Sequence, residues 1–220
     1  REGQWATGIA VFELMKKEGI DPKRACYESL MECQRFLGRT KSVFSTFKEM
    51  KRKKLEIDHI VCAKLMGTCL DAKNYKQVFK LHEEMEENGT KLDEKCYGMV
   101  AHALNRDFRP LNEMQALAEK MSKDNVPINI LICNNAISLA KKHGNVSLVR
   151  EWYEKAKFLG LQPDSFTLSR VSHALIKGNF IDEALEVLEH GRKIGLKFDW
   201  MVLANEIIIH GFKGNIEKVE

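Results

Sequence analysis

The sequence predicts an all-α solenoid, a row of helical hairpins stacked one on the next. Three observations predict it. Junctions of similar composition recur at near-constant spacing: Pro22-Lys23, Ile57-Asp58, Leu92-Asp93, Ile128-Asn129, Pro163-Asp164 and Phe198-Asp199 lie 35, 35, 36, 35 and 35 residues apart, and self-similarity at such a period marks repeat architectures. Between junctions, apolar residues recur at i, i+3, i+4 and i+7, the helical period; Val78, Leu81 and Met85 show it, as do Ala184, Leu185 and Leu188. Only 4 prolines occur in 220 residues, so few positions interrupt a helix.

Each interval between junctions then reads as a first helix, a break and a second helix. A partial repeat, 1–23, closes on the run from Phe12 through Met15 to Gly19. Repeat 24–58 breaks at "LGRTK" and closes through Phe47 and Met50. Repeat 59–93 holds "HIVCAKLMGTCL" (59–70), the break "DAKNY" and "KQVFKLHEEMEENG" (76–89). Repeat 94–129 carries one extra residue, placed near Asp107–Pro110; Pro110 suits a helix start, where its missing N–H has no partner to lose. Repeat 130–164 breaks at "KHGN" and ends at Pro163-Asp164. Repeat 165–199 holds "SFTLSRVSHALI" (165–176), "KGNF" and "IDEALEVLEHGRKIG" (181–195). A last partial repeat, 200–220, starts a first helix and reaches "KGN".

Gly89, Gly160 and Gly195 fall just past helix ends, where left-handed backbone costs glycine little. Gly191 stands inside a helix and is expected to weaken it by about 1 kcal/mol relative to alanine. One hairpin cannot bury its own apolar face, so neighbours must stack. Arg1 falls at a break between helices and Glu220 inside a second helix. A solenoid cut there exposes faces that polar caps normally cover, and the sequence reads as an excerpt of a longer polypeptide or the ordered part of one.

Composition narrows the function classes. Hydrophobic residues make up 44% and charged residues 30%, the profile of a folded globular chain. A net charge of +4 permits a polyanionic partner without demanding one. No apolar run nears the ~18 residues that span a bilayer, so no membrane insertion is expected. Cys26, Cys33, Cys62, Cys69, Cys96 and Cys133 lack zinc-site spacing and read as small buried residues in a reducing compartment, in preference to a zinc site or a disulfide framework. The histidines form no metal spacing either. With no phosphate-cradling glycine loop, nucleophile–base pair or acidic metal cluster, no catalytic residue, metal or cofactor is expected, and the chain reads as a non-enzyme.

The repeats resemble those of the pentatricopeptide repeat (PPR) family; the Trp, Leu-Gly and Tyr signature of tetratricopeptide units is absent. Cys26-Tyr27-Glu28-Ser29-Leu30-Met31 and Cys96-Tyr97-Gly98-Met99-Val100 are similar to the family's opening "TYNxLI" helix. Lys177-Gly178-Asn179 followed by Asp182-Glu183-Ala184 matches its central "KxGxxxEA". Phe12-Glu13-Leu14-Met15…Gly19-Ile20-Asp21-Pro22, Phe47-Lys48-Glu49-Met50 and Leu81-His82-Glu83-Glu84-Met85…Gly89 match its close. The resemblance covers essentially the whole chain as one PPR array of five full repeats and two partial ones. It implies a right-handed α-solenoid of helix-turn-helix repeats whose first helices line a concave groove. It also implies single-stranded RNA binding, one base per repeat, in RNA processing, stability or translation within a mitochondrion or plastid.

In the family the fifth residue of a repeat and its last residue choose the base. Carried over, the pairs are Glu28–Asp58, Ala63–Asp93, Gly98–Asn129, Asn134–Asp164 and Ser169–Asp199. Asn134–Asp164 resembles the uridine-favouring pair and Ser169–Asp199 a weaker purine reader. Ala63 and Gly98 offer no side-chain hydrogen bond, and Glu28 is an anion facing a polyanion. The resemblance places Ala25, Ile60, Lys95, Leu131, Phe166 and Met201 against base faces.

A cation column late in the first helices (Arg35, Arg106, Lys141, Lys142 and Lys177) has two readings. It can track phosphates, or it can complement the helix dipole by about 0.3–1 kcal/mol per charge. The junction aspartates also have two. An N-cap is worth about 1 kcal/mol; capping is the main role expected of Asp58 and Asp93, and base reading that of Asp164. An alternative function is a scaffold subunit of a large assembly, such as a mitochondrial ribosome, gripping protein subunits or structured RNA. A further alternative is the non-catalytic RNA-binding arm of a larger RNA-processing enzyme.

Overall fold

A computed structural model describes residues 2–214, among which every regular element is a helix. In chain order these are α1 (Glu2–Lys17), α2 (Arg24–Phe36), α3 (Thr40–Arg52), α4 (His59–Asp71), α5 (Tyr75–Glu87), α6 (Glu94–Arg106), α7 (Leu111–Lys123), α8 (Ile130–Lys142), α9 (Val146–Phe158), α10 (Ser165–Lys177), α11 (Ile181–Lys193) and α12 (Trp200–Lys213). The fold is an all-α solenoid of helical repeats. The second helix expected after residue 215 lies outside the described residues.

The 35-residue period has a simple physical composition. From α2 to α11 every helix is 13 residues long. Three residues join the two helices of a hairpin and six join one hairpin to the next; the exception is the turn 107–110, which holds the extra residue of the 36-residue interval. Pro110 is the N-cap of α7 there, as a proline without an N–H can be.

Helix ends set the lengths. Just past each of α1 to α11 one residue adopts left-handed backbone; it is glycine at Gly19, Gly38, Gly89, Gly144, Gly160 and Gly195, and Lys54, Lys73, Phe108, Asn125 or Asn179 elsewhere. The next N–H then bonds back five residues, as in Arg39 N to Gln34 O at 2.8 Å and Leu161 N to Ala156 O at 3.0 Å. This closure satisfies carbonyls that the helix leaves open.

The chain divides into two compact units, one up to Ala103 and one from Leu104 onward. In the N-terminal unit α2 packs on α1, α3 and α4, and α4 on α5. Tyr27, Met31, Met50, Leu65, Met66 and Met85 fill its interior. In the C-terminal unit α8, α10 and α12 lie side by side, with α9 and α11 packed against them. Met121, Ile132, Ile137, Leu139, Leu168 and Leu188 are buried there. Burying each such side chain contributes roughly 1.5–3 kcal/mol.

Gly191 occupies the helix position filled by Met50, Met85 and Met121 in α3, α5 and α7. The helix-weakening expectation is incomplete, because the space is already taken. A Cβ at Gly191 would collide with Leu168 Cδ1 and come within 3.0 Å of the Phe198 ring. Glycine therefore lets α11 approach α10 closely.

All six cysteines are free; Cys62, Cys69, Cys96 and Cys133 are buried. Burial pushes the Cys62 and Cys69 thiols up to about 12 and the Cys133 thiol up to about 11, which leaves them protonated and unreactive at neutral pH. In the basic run after Met50, Lys51 pairs with Glu84, and Lys53 with Asp21 at 2.6 Å. Lys16 and Glu49 add a third pair at 2.9 Å between second helices of the N-terminal unit. Exposed pairs of this kind contribute about 0–1 kcal/mol each.

Candidate nucleic-acid interface

From Asp58 onward the junction residues cap helices with their side chains, whereas Lys23 at the first junction makes no side-chain cap bond. Asp58 accepts from the Ile60 and Val61 N–H groups at 3.0 and 3.1 Å, and Asp93 from Cys96 at 2.9 Å. Asn129 accepts from Ile132 at 3.0 Å, and Asp199 from Met201 and Val202 at 3.1 and 3.0 Å. Asp164 does this and more. It takes the Thr167 N–H at 2.7 Å, while its own N–H donates to Thr167 Oγ1 at 3.3 Å, a reciprocal capping box.

Asn134 joins that box. Its Nδ2 donates to the Asp164 carboxylate at 3.4 and 3.5 Å, and its Oδ1 faces the Thr167 hydroxyl at 2.6 Å. The predicted pair is thus brought together, through a third residue that spacing does not reveal. Asn134 is also only 5% exposed. With Oδ1 facing Thr167 and Nδ2 facing Asp164, the orientation of the Asn134 amide is fixed. Ser169 and Asp199 are half-buried, and among the described residues no hydrogen bond joins them; Ser169 instead receives Asn205 Nδ2 on its backbone carbonyl at 2.9 Å.

Two stripes run along the first helices of the C-terminal unit, each with the spacing of one helix face. On α8 the stripe is Leu131, Asn134, Ser138 and Lys141; on α10 it is Phe166, Arg170, His173 and Lys177. Each begins with an exposed apolar side chain, Leu131 at 60% and Phe166 at 39%, continues through polar groups and ends on a cation. Exposed apolar residues at helix starts suit stacking on bases. The Arg170 guanidinium lies on the Phe166 ring.

The cations of this unit sit close enough to oppose one another. Burial, then the charges of Arg170 and Lys177, pulls the Lys141 pKa down. Burial, Arg106 and Arg170 do the same to Lys142, whose Nζ also donates to the Asn105 carbonyl at 2.5 Å. Burial draws Arg170 down to about 10, partly offset by Asp164, so it stays charged at neutral pH. Burial with Lys141 and Lys177 alongside lowers His173 and keeps its ring neutral at pH 7. Arg106, Lys142 and Lys177 are exposed and Lys141 half-buried. Helix-dipole complementarity alone does not draw cations of three helices to one place.

Arg35 departs from that column. Its Nε holds Asp71 at 2.6 Å and its guanidinium lies over Gly67, where no side chain stands in the way. Unlike the later cations of the column, Arg35 is paired with a carboxylate of the next first helix. The neighbouring pair Glu28–Asp58 is likewise closed, by Arg24 at 3.1 Å from Glu28 and 2.8 Å from Asp58. Glu28 is therefore no bare anion. Sequence reading missed Arg24, Ser138, Thr167 and Arg170. Arg24, four residues before Glu28, and Thr167, three after Asp164, have local spacings that signal them, whereas Ser138 and Arg170 stand out only when consecutive repeats are set side by side.

Among the described residues no group of histidine, cysteine and carboxylate side chains is placed to hold a metal, and no helix is long and apolar enough to cross a membrane.

Comparison with known proteins agrees with this architecture. The family profile described as the pentatricopeptide repeat domain matches residues 45–91. A chloroplastic pentatricopeptide repeat-containing protein of Arabidopsis thaliana is 24% identical over 204 residues, covering 86% of this chain and 32% of its own length. The chain thus spans about a third of that curated relative. Among solved structures, the PPR domain of Arabidopsis thaliana protein-only RNase P 1, in complex with tRNA, aligns with a TM-score of 0.72 at 10% identity over 84% of this chain and 95% of that one. Maize PPR10 aligns with a TM-score of 0.58 at 19% identity, over 90% of this chain and 28% of that one. PPR10 with an 18-nucleotide RNA element aligns with a TM-score of 0.62 at 14% identity, over 99% and 37%. Period, hairpin geometry, profile and relatives agree: the chain is similar to pentatricopeptide repeat proteins and shares their all-α solenoid fold.

Proposed function

We propose that this chain binds single-stranded RNA along the first helices of its C-terminal unit, without catalysing a reaction on it. One observation carries the reading: apolar, hydrogen-bonding and cationic groups repeat in that order on α8 and α10, and the terminal cations Lys141 and Lys177 lie beside one another and beside Arg170. Stacking, base-edge contact and phosphate contact are the three interactions a single strand requires. Asn134, held by Asp164 and Thr167, reads a uridine. Ser169 with Asp199 reads a purine in the following repeat. Repeats 24–58 and 59–93 add little base selection, since Arg24 closes the first pair and Ala63 offers no polar atom. The solved relatives with tRNA and with an RNA element support the RNA class of ligand. The chloroplastic relative supports a place in an organelle, mitochondrion or plastid, where the RNA role would be one in processing, stability or translation.

Fluorescence anisotropy with a uridine-containing single-stranded RNA tests the proposal. Binding should weaken as salt rises from 50 to 200 mM, with a log–log slope no steeper than about −3.5, roughly 0.7 per phosphate contact for five cations. Absence of binding at micromolar protein, or binding indifferent to salt, would overturn it.

A further inference from the structure

Two ion pairs close the seam between first helices α2 and α4. Glu32, ninth in α2, meets Lys64, sixth in α4, at 2.7 Å; Arg35, twelfth in α2, meets Asp71, thirteenth in α4, at 2.6 Å. α8 and α10 also pack on each other, and at the same helix positions they hold Ser138 and Arg170, then Lys141 and Lys177; the charges of Arg170 and Lys177 both bear on Lys141. Ser138 stands in the place of Glu32, and Lys177 in the place of Asp71. The seam keeps the cations and lacks both carboxylates.

Local satisfaction points the same way. Ser138, 4% exposed, has a buried Oγ with no hydrogen-bond partner among the described residues, and His173 Nδ1 is buried and equally unpartnered. Buried polar atoms without partners are uncommon and call for a ligand or water. Lys141, Arg170 and Lys177 repel one another across the seam, which costs stability until an anion lies between them.

We propose that the α8–α10 seam is an oxyanion site that takes one phosphate group in place of the two missing carboxylates. Lys141, Arg170 and Lys177 neutralise it, and Ser138 and His173 hydrogen-bond to it. The inference rests on the RNA reading only for its occupant: a backbone phosphate of bound RNA, or free phosphate when RNA is absent.

Lys177→Asp tests the site, because it installs the carboxylate that Asp71 supplies at the other seam. Thermal unfolding of the full chain is followed with inorganic phosphate against chloride at equal ionic strength. Phosphate should raise the wild-type midpoint, and Lys177→Asp should be at least as stable as wild type without phosphate and show no rise with it. RNA affinity, read by anisotropy, should fall about tenfold in the variant. Lys80→Asp, the same charge change on exposed α5, should leave both readouts near wild type. If phosphate does no more than chloride for the wild type, or Lys177→Asp responds as the wild type does, the site is overturned, whether or not the chain binds RNA. A phosphate response lost in Lys177→Asp with unchanged RNA affinity supports the site and assigns it to free phosphate.

Discussion

Thr167→Val should destabilise the protein by about 1–3 kcal/mol in urea unfolding, although the residue is fully buried and valine has nearly the same shape. The hydroxyl meets three groups: Asn134 Oδ1 at 2.6 Å, Asp164 Oδ1 at 2.7 Å and the Asp164 N–H at 3.3 Å. Valine leaves the Asn134 carbonyl oxygen and the Asp164 N–H without that partner, while Asp164 still caps Thr167's backbone position. The larger consequence is functional. Without the hydroxyl the Asn134 amide is free to rotate, so preference for uridine at this repeat should shrink toward that of an unselective one. Thr167→Ser, which keeps the hydroxyl, should retain both stability and preference. Equal stability and equal uridine preference for Thr167→Val and wild type would show that the network holds neither the cap nor the reader.

Gly191→Met should also destabilise, by on the order of 1–2 kcal/mol net, although methionine is the residue of α3, α5 and α7 at this position. Helix propensity favours the change by nearly 1 kcal/mol. Overpacking opposes it by about 1–3 kcal/mol or more, since Leu168 and Phe198 already fill the volume a side chain needs. Leu168 lies next to Thr167, so the strain reaches the start of α10. A thermal midpoint at or above wild type would mean that Leu168 and Phe198 move aside cheaply.

Much of the fold was legible because repeats restate the same requirement. A hairpin must end its helices, and the residues that do so, glycine or asparagine past the helix and aspartate or asparagine before the next, recur at a fixed count. The extra residue near Asp107–Pro110 was legible by the same count. Gly191 was half legible: its helix cost is a local property, whereas its use depends on Leu168 and Phe198, which lie 23 residues before it and seven after.

The candidate site was legible at its two ends. Asn134 and Asp164 stand out by spacing, and Leu131 and Phe166 by apolar character at helix starts. The cations did not sort themselves. Arg35 and Lys141 look alike along the chain, and only the partner 36 residues later separates them, Asp71 for one and Lys177 for the other. An ion pair between stacked helices is a property of two repeats at once, so no single repeat records whether its cation is available to RNA.

That distinction is the centre of the account and can be measured directly. Single-stranded RNA carrying 4-thiouridine, bound to the protein, photo-crosslinked and mapped by peptide mass spectrometry, reports where the strand lies. Adducts are predicted in α8 and α10, over residues 130–142 and 165–177, with few in α2 and α4. Adducts concentrated in residues 24–36 and 59–71, or spread over the second helices, would contradict it.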